Sequence, residues 1–394
     1  MRILMVCTEY PPMLGGLGRY TYNLTNHLKN HNIDISTVSN QAGNGTYTGL
    51  FPGNINNSDV LLDIVKQQDP DIVHIQLEHG LYGLFIDPLV PNKISSTIDK
   101  FYDMCKVPIV TTFHSSYTFK QWMNLIYPTQ EQSGKKMNKL DIGLQLLSKY
   151  WKHLINYRSF HDYNNYIMKK SHTGIVFSHY MANLIPGCKV IYHGAEPCIQ
   201  LIDKKEAKRK LGLPENGRIA VLNGFLTSTK GWDIIKKMNI PDNWSIVMNH
   251  SKVYYSNEII NLNKIKSTNV INLNKSYLSD TELSLLLYAS DVVLLPYKVT
   301  SGSGVMFDGL AHGLPFIASD LDFFKEFSKK GLGICVKRNA EKFAKALVEI
   351  DQYYEKFAIN VEIFKNMLKW DFHIAKHIEV YERVIADKKL TAFE

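Results

Sequence analysis

Short apolar runs alternate with amphipathic stretches along most of this chain. Arg2 to Cys7 is such a run, followed by Gly15-Gly16-Leu17-Gly18 and then by Tyr20, Leu24 and Leu28 at helical spacing. The pattern predicts strand, glycine loop, helix. Ile33 to Val38, Asp71 to Ile75, Val107 to Phe113, Thr173 to Phe177 and Lys189 to Tyr192 read as further strands, with Val60 to Val65 helical between them. A second series starts near Arg218. Ile219 to Asn223, Ser245 to Met248, Asn269 to Ile271, Asp291 to Leu295 and Leu314 to Ala318 read as strands. Gly231 to Met238, Leu278 to Ala289 and Val305 to His312 read as helices, and Ser279 with Glu282 three residues later is a capping-box pattern. Strands alternating with helices predict α/β architecture with parallel sheets.

Two interruptions divide the pattern. Glu196 to Asn216, with Pro197, Gly212 and Pro214 around the charged run Lys204 to Lys210, reads as a linker. Ser115 to Lys170 breaks the rhythm of the first half and reads as helices inserted between two strands. The predicted domains are 1–196, with the insert at about 115–170, and 197–365. A last helix over 366–394, with Trp370, Ile374, His377, Ile378, Tyr381 and Ile385 on one face, is expected to cross back to the first domain.

Composition narrows the class. The 394 residues are 45% hydrophobic and 21% charged, ordinary for folded domains. Five scattered cysteines without a paired spacing argue against a disulfide framework or zinc site and predict a reducing, cytoplasmic setting. Cys7, in an apolar run, reads as a core thiol. The N-terminus lacks the form of a signal peptide, and no apolar stretch approaches a membrane span. The net charge is +8, and between Tyr117 and Lys170 nine basic residues face three acidic ones. With Trp122, Tyr150 and Trp151 in the same stretch, the insert suggests peripheral contact with an anionic membrane; an ordinary helical insert with a solvated basic face is the competing reading. No nucleic-acid-binding motif accompanies the charge, so nucleic acid is not an expected partner.

Three segments carry candidate chemistry. The first glycine loop can bring backbone N–H groups to an anion, or be only a tight turn. It fails the dinucleotide fingerprint, because Thr21 stands where a third glycine belongs and Ser39-Asn40-Gln41, with no acid, follows the second strand. Ser301-Gly302-Ser303-Gly304 opens a helix after Leu294-Leu295-Pro296-Tyr297 and offers an anion site, with Asp308 four residues in. Lys230, at the expected start of a helix, is either a phosphate partner or a solvated lysine. Asp69-Pro70-Asp71 and Asp320-Leu321-Asp322 lack further ligands, so no metal is expected.

Taken in order, Gly15-Gly16-Leu17-Gly18-Arg19-Tyr20, Tyr192-His193-Gly194, Gly224 through Lys230-Gly231, and Asp308 through Pro315 resemble glycosyltransferase family 4 over nearly the whole chain. The resemblance implies the GT-B fold: two Rossmann-like domains facing a cleft. It implies a retaining, metal-independent transfer of a hexose from a nucleotide sugar, foremost a UDP- or GDP-sugar, to a glycan or lipid-linked acceptor, with no resident cofactor. Donor contacts fall on Gly15, Gly16, Lys230, Thr300, Ser301, Gly302, Ser303, Gly304, Val305 and Asp308, the diphosphate lying between Gly16 and the Ser303-Gly304 helix start. His114, Lys230 and Asp308 are the implied catalytic residues. Glu78, His79 and Arg19 are placed on the acceptor side. The family's arginine position is Phe225 here, and its two glutamates, eight apart, are Thr300 and Asp308. A GT-B phosphorylase or epimerase is one alternative, and those departures keep open another, a catalytically degenerate nucleotide-sugar-binding protein.

Overall fold

The computed structural model describes residues 1–86, 93–126, 139–196, 198, 202–251, 269–273 and 275–391. The chain divides into two compact units: Met1–Ile191 with Ile374–Glu394, and Tyr192–His373.

Among the described residues of the first unit, the order is β1 (Arg2–Val6), α1 (Gly16–Asn30), β2 (Asp34–Ser39), β3 (Tyr47–Thr48), α2 (Asn57–Gln68), β4 (Ile72–Leu77), β5 (Phe85–Ile86), β6 (Ile94–Ser95), α3 (Asp99–Met104), β7 (Ile109–Phe113), α4 (Phe119–Ile126), α5 (Lys139–Lys170), β8 (Thr173–Val176), α6 (His179–Leu184) and β9 (Lys189–Val190). Seven of these strands form one parallel sheet in the order β3-β2-β1-β4-β7-β8-β9. β1, β4 and β7 are apolar through most of their length because helices cover both faces of the sheet. Leu4, Val6, Val73, Ile75, Ile109 and Phe113 meet Leu61, Phe101, Tyr163 and Ile167 in the core.

The second unit contains α7 (Lys204–Lys210), β10 (Arg218–Phe225), β11 (Trp244–Ser251), β12 (Val270–Asn272), α8 (Asp280–Ala289), β13 (Val292–Leu295), α9 (Gly304–Ala311), β14 (Phe316–Ser319), α10 (Asp322–Ser328), β15 (Gly333–Val336), α11 (Ala340–Gln352), α12 (Tyr354–Phe364) and the first residues of α13 (Trp370–Thr391). Its parallel sheet runs β12-β11-β10-β13-β14-β15. Trp232, Trp244, Ile246, Leu294, Phe343 and Leu347 lie in its core. The capping box at Ser279 is formed as its sequence predicts, a contribution of about 1 kcal/mol to α8. The unit boundary falls inside α13, between His373 and Ile374.

The structure corrects four expectations. Gly16 to Gly18 are not a loop before α1 but its first turn. The helix expected over Gly231 to Met238 is absent. Single 3₁₀ turns at Ser228–Lys230 and Ile235–Lys237 stand there instead, while Trp232 turns into the core and donates from Nε1 to the Phe225 carbonyl at 3.1 Å. Lys230 therefore does not open a helix. The charged run Lys204 to Lys210 is a packed helix, capped by Asp203, rather than open linker. Lys204 bonds Asp291 at 2.7 Å, and the buried stem of Lys208 brings Nζ to the Gly217 carbonyl at 2.8 Å. Pro197 lies outside the described residues.

The inserted helices are α4 and α5, between β7 and β8. Tyr127, Lys135 and Lys136 lie outside the described residues, as do the side chains of Lys139, Lys149, Tyr150 and Trp151. The described aromatics pack on one another: Trp122 on Phe160 at 5.1 Å and Phe119 on Tyr157 at 5.2 Å between ring centroids.

Candidate functional site

In each unit the chemistry gathers at the carboxyl ends of the parallel strands, where open α/β sheets hold ligands. In the first unit β1 ends at Val6, and the chain returns through Glu9 to the start of α1. Glu9 is buried, and its carboxylate accepts from the Gly18 N–H at 3.2 Å. The Leu17 N–H bonds it too; burial outweighs both bonds and raises the Glu9 pKa. Gly15 has no Cβ because one would stand 1.6 Å from the Glu9 carboxylate. At this helix start the chain's own Glu9 side chain caps first-turn N–H groups. Beside Gly16 there is open space. Arg19 lies in the same first turns of α1 and is partly buried.

β4 delivers Glu78 and His79, and β7 delivers His114 and Ser115. The Ser115 hydroxyl lies 3.0 Å from Glu78 Oε1 and 3.1 Å from His79 Nδ1, and His79 Nε2 is 2.6 Å from Asn164 Oδ1. Burial lowers the His79 pKa to about 4, so the ring is neutral at physiological pH. Asn164 Oδ1 can only accept, which puts the His79 proton on Nε2 and makes Nδ1 an acceptor from Ser115. The one Ser115 hydroxyl proton is given to Glu78 Oε1 while that carboxylate is ionised, and it is available to His79 Nδ1 once Glu78 is protonated. Burial raises Glu78 to about 7 against the lowering effect of the Ser115 bond, with Glu9 adding like charge. His114 is set apart from this trio. Its Nε2 is 2.8 Å from Gln76 Oε1, and its ring sits edge-on against Tyr20 at 5.4 Å and Phe177 at 5.0 Å.

In the second unit β10, β13 and α9 converge. Ser303 caps α9 by accepting from the Met306 N–H at 3.2 Å, leaving the N–H groups of Gly304 and Val305 without a partner inside the helix. Lys230 Nζ lies 3.9 Å from the centre of the Tyr297 ring, and Tyr297 Oη is 3.4 Å from Ser303 Oγ. One ammonium and one helix start are thereby joined through a shared aromatic ring. Gly224, next to last in β10, faces Val305. Asp308 is buried in the second turn of α9. Thr300 and Ser301 are buried as well, and the Thr300 hydroxyl bonds the Gly302 carbonyl within its own loop.

The structure thus groups Lys230, Thr300, Ser301, Gly302, Ser303, Gly304, Val305 and Asp308 in one unit. It groups Gly15, Gly16, Arg19, Glu78, His79 and His114 in the other. Sequence reasoning missed Glu9, Tyr297 and Ser115, and it used His193 only as part of a motif. His193 stacks on Phe307 at 5.7 Å with 6° between planes, and it stands beside Gly304. The signal for Ser115 was its position directly after His114 at a strand end; Glu9 gave none beyond its nearness to the glycines.

The two Asp-x-Asp tokens are engaged in ion pairs: Asp69 with Arg2 at 3.2 Å, and Asp320 and Asp322 with Lys325 at 2.9 and 3.3 Å. Among the described residues no group of three or more His, Cys, Asp or Glu is placed to hold a metal ion. None of the described helices is long and apolar enough to cross a membrane. Cys7 is buried, which pushes its thiol pKa up and away from nucleophilic use.

No protein-family model matches the chain, and no curated protein matches it. Solved structures do. A sucrose-phosphate synthase from Thermosynechococcus elongatus is 12% identical, with 98% of this chain and 99% of that one covered at a TM-score of 0.66. A glycosyltransferase from Rickettsia africae is 16% identical, with 98% of each chain covered at 0.65. The Anabaena protein HepE, crystallised with UDP and glucose, is 13% identical, with 97% and 100% covered at 0.62. Two Rossmann-like domains with parallel sheets of seven and six strands make this the fold of GT-B glycosyltransferases.

Proposed function

We propose that this chain is a glycosyltransferase that takes a sugar from a nucleotide-sugar donor, binding the donor's diphosphate at the start of α9. The arrangement of Lys230, Tyr297 and Ser303 carries this reading. Departure of a nucleoside diphosphate develops negative charge, and preorganised N–H groups with one ammonium stabilise it where it forms. Such a site has no need of a metal. The fold's other members include HepE, whose structure holds UDP and glucose, which makes UDP-sugars the first donors to test. Asp308, buried one turn deeper, would serve a ribose hydroxyl, and Ser301 to Val305 would surround the phosphates. Transfer of a hexose with retention follows from the family resemblance. The acceptor is a glycan or lipid-linked sugar, taken on the side of Glu78, His79 and Arg19.

A second reading is a nucleotide-sugar-binding protein without turnover. Thr300, tied into its own loop, and Phe225, whose ring lies 6.2 Å from that of Tyr277, stand where the family carries charged groups. Incubation with UDP-, GDP- and ADP-hexoses, with and without oligosaccharide or lipid-linked acceptors, separates the two. Release of nucleoside diphosphate, with an unchanged anomeric configuration in the product's proton NMR spectrum, is expected. Binding without release from any donor would favour the second reading, and dependence on inorganic phosphate would point to a phosphorylase. Contact of the basic insert with an anionic membrane is proposed on its charge, and flotation with vesicles with and without anionic lipid tests it.

A further inference from the structure

Beneath His114 a line of buried polar groups crosses the first unit from the strand end to α13. Gln76 and His74 occupy alternate positions of β4, so both project from the same face of a central strand. Both are fully buried, as is Tyr381 on α13. Gln76 Oε1 is 2.8 Å from His114 Nε2. Gln76 Nε2 is 3.2 Å from His74 Nε2 and 3.2 Å from Met5 Sδ. His74 Nδ1 is 2.7 Å from Tyr381 Oη, and His74 Nε2 is also 2.8 Å from Thr112 Oγ1.

Donor and acceptor rules orient this line. A thioether sulfur accepts weakly and cannot donate, so the amide nitrogen of Gln76 belongs on the Met5 side. Its carbonyl then faces His114 and can only accept. His74, held neutral by burial and by its two neighbouring imidazoles, carries one proton. That proton cannot be on Nε2, which faces the amide N–H, so it lies on Nδ1 and is given to Tyr381. Every link then donates in one direction: His114 Nε2–H to Gln76, Gln76 N–H to His74, His74 Nδ1–H to Tyr381. Reversing any one link alone would set two donors or two acceptors against each other, and reversing all of them together would turn the Gln76 oxygen onto the Met5 sulfur and lose that contact.

We propose that Gln76 and His74, backed by Tyr381, are positioning residues that fix His114 in the Nε2–H tautomer. The imidazole presented at the strand end then has Nδ1 as its basic nitrogen. Neither the fold nor the family resemblance demands this; it follows from which atoms face one another across β4 and α13. The consequence for catalysis rests on the proposed transferase reading, but the tautomer does not.

Histidine-selective 15N labelling of the full chain, with long-range proton–nitrogen correlation at neutral pH and assignment by His114→Asn, reads the tautomer directly. Nε2 of His114 is expected as the protonated nitrogen and Nδ1 as the bare one. The opposite pattern, or an even mixture, would overturn the assignment. Gln76→Leu removes the acceptor and is expected to yield a mixture. Gln76→Glu keeps an acceptor toward Nε2 and is expected to keep the proton there, which guards against a poorly folded leucine variant. A His114 spectrum indifferent to both changes would also overturn it. Under the transferase reading, Gln76→Leu lowers kcat by roughly tenfold or more with little change in donor KM, as expected when a base is offered in the wrong tautomer. A tautomer that shifts while kcat stays constant would uphold the positioning role and remove His114 from the proposed reaction.

Discussion

Replacing Glu78 with glutamine should flatten the pH dependence of the first unit's stability. Glu78 moves from an ordinary 4.5 to about 7 on folding, through burial first, with the Ser115 hydrogen bond opposing the rise and the nearby Glu9 charge adding to it. A carboxyl raised in this way binds its proton more tightly in the folded state. Stability is then fully present below about 4.5 and falls as pH rises through about 7. At ~1.4 kcal/mol per pH unit the whole effect is about 3 kcal/mol. Glu78 keeps partial access to solvent, so a loss on the order of 1–3 kcal/mol is expected. Glutamine presents the same N–H to Ser115 that the protonated acid presents as O–H, and it does not ionise. Urea unfolding of wild type and Glu78→Gln is compared at about pH 4.5 and about pH 8. Circular dichroism and tryptophan fluorescence follow the two units, which need not unfold together. The variant should match wild type at the acid end and exceed it by that 1–3 kcal/mol at the alkaline end. A stability difference that does not change with pH would refute the shared-proton account of Glu78, Ser115 and His79.

Gly231→Ala should lower the unfolding midpoint, by roughly 1–3 kcal/mol of stability. The site has a φ of +79°, and a Cβ there would meet the Pro296 carbonyl oxygen at 1.8 Å; an unchanged midpoint would contradict the turn geometry beside Lys230. Gly15→Ala should displace the Glu9 carboxylate from the start of α1 and cost about 0.5–2 kcal/mol, a typical capping loss. In a Glu9→Ala background the same change should cost far less, and equal costs in both backgrounds would show that the carboxylate is not the cap. Turnover in excess chelator should equal turnover without it, and strict dependence on Mg²⁺ or Mn²⁺ would oppose the metal-free reading.

How much of this was readable beforehand differs by element. β1, β4, β7, β10 and β13 announce themselves as apolar runs because strands buried on both faces need no alternation. α8 was legible to its cap because Ser279 and Glu282 carry a local, pairwise signal. The helix expected after Lys230 failed because Trp232 satisfies a long-range demand: its ring fills the core under β10 and its N–H holds Phe225, which outweighs the helical spacing. The candidate site was partly visible. Ser303 and the glycines beside it mark a helix start, which is local. Glu9 on the Gly18 N–H joins residues nine apart, and Gln76 against His114 joins residues 38 apart, and no spacing rule links either pair. Tyr381, 307 residues from His74, was seen only as one position on an apolar helix face.

The central claim is that a nucleotide sugar is held at the α9 helix start with the help of Lys230. Thermal unfolding of wild type and Lys230→Ala, each with UDP-, GDP- and ADP-sugars at saturating concentration, tests it directly. A ligand at about 100 times its Kd stabilises by about 2.7 kcal/mol. At least one nucleotide sugar is therefore expected to raise the wild-type midpoint by several degrees, with most of that rise lost in Lys230→Ala. No shift with any donor, or an equal shift in both proteins, would contradict the claim.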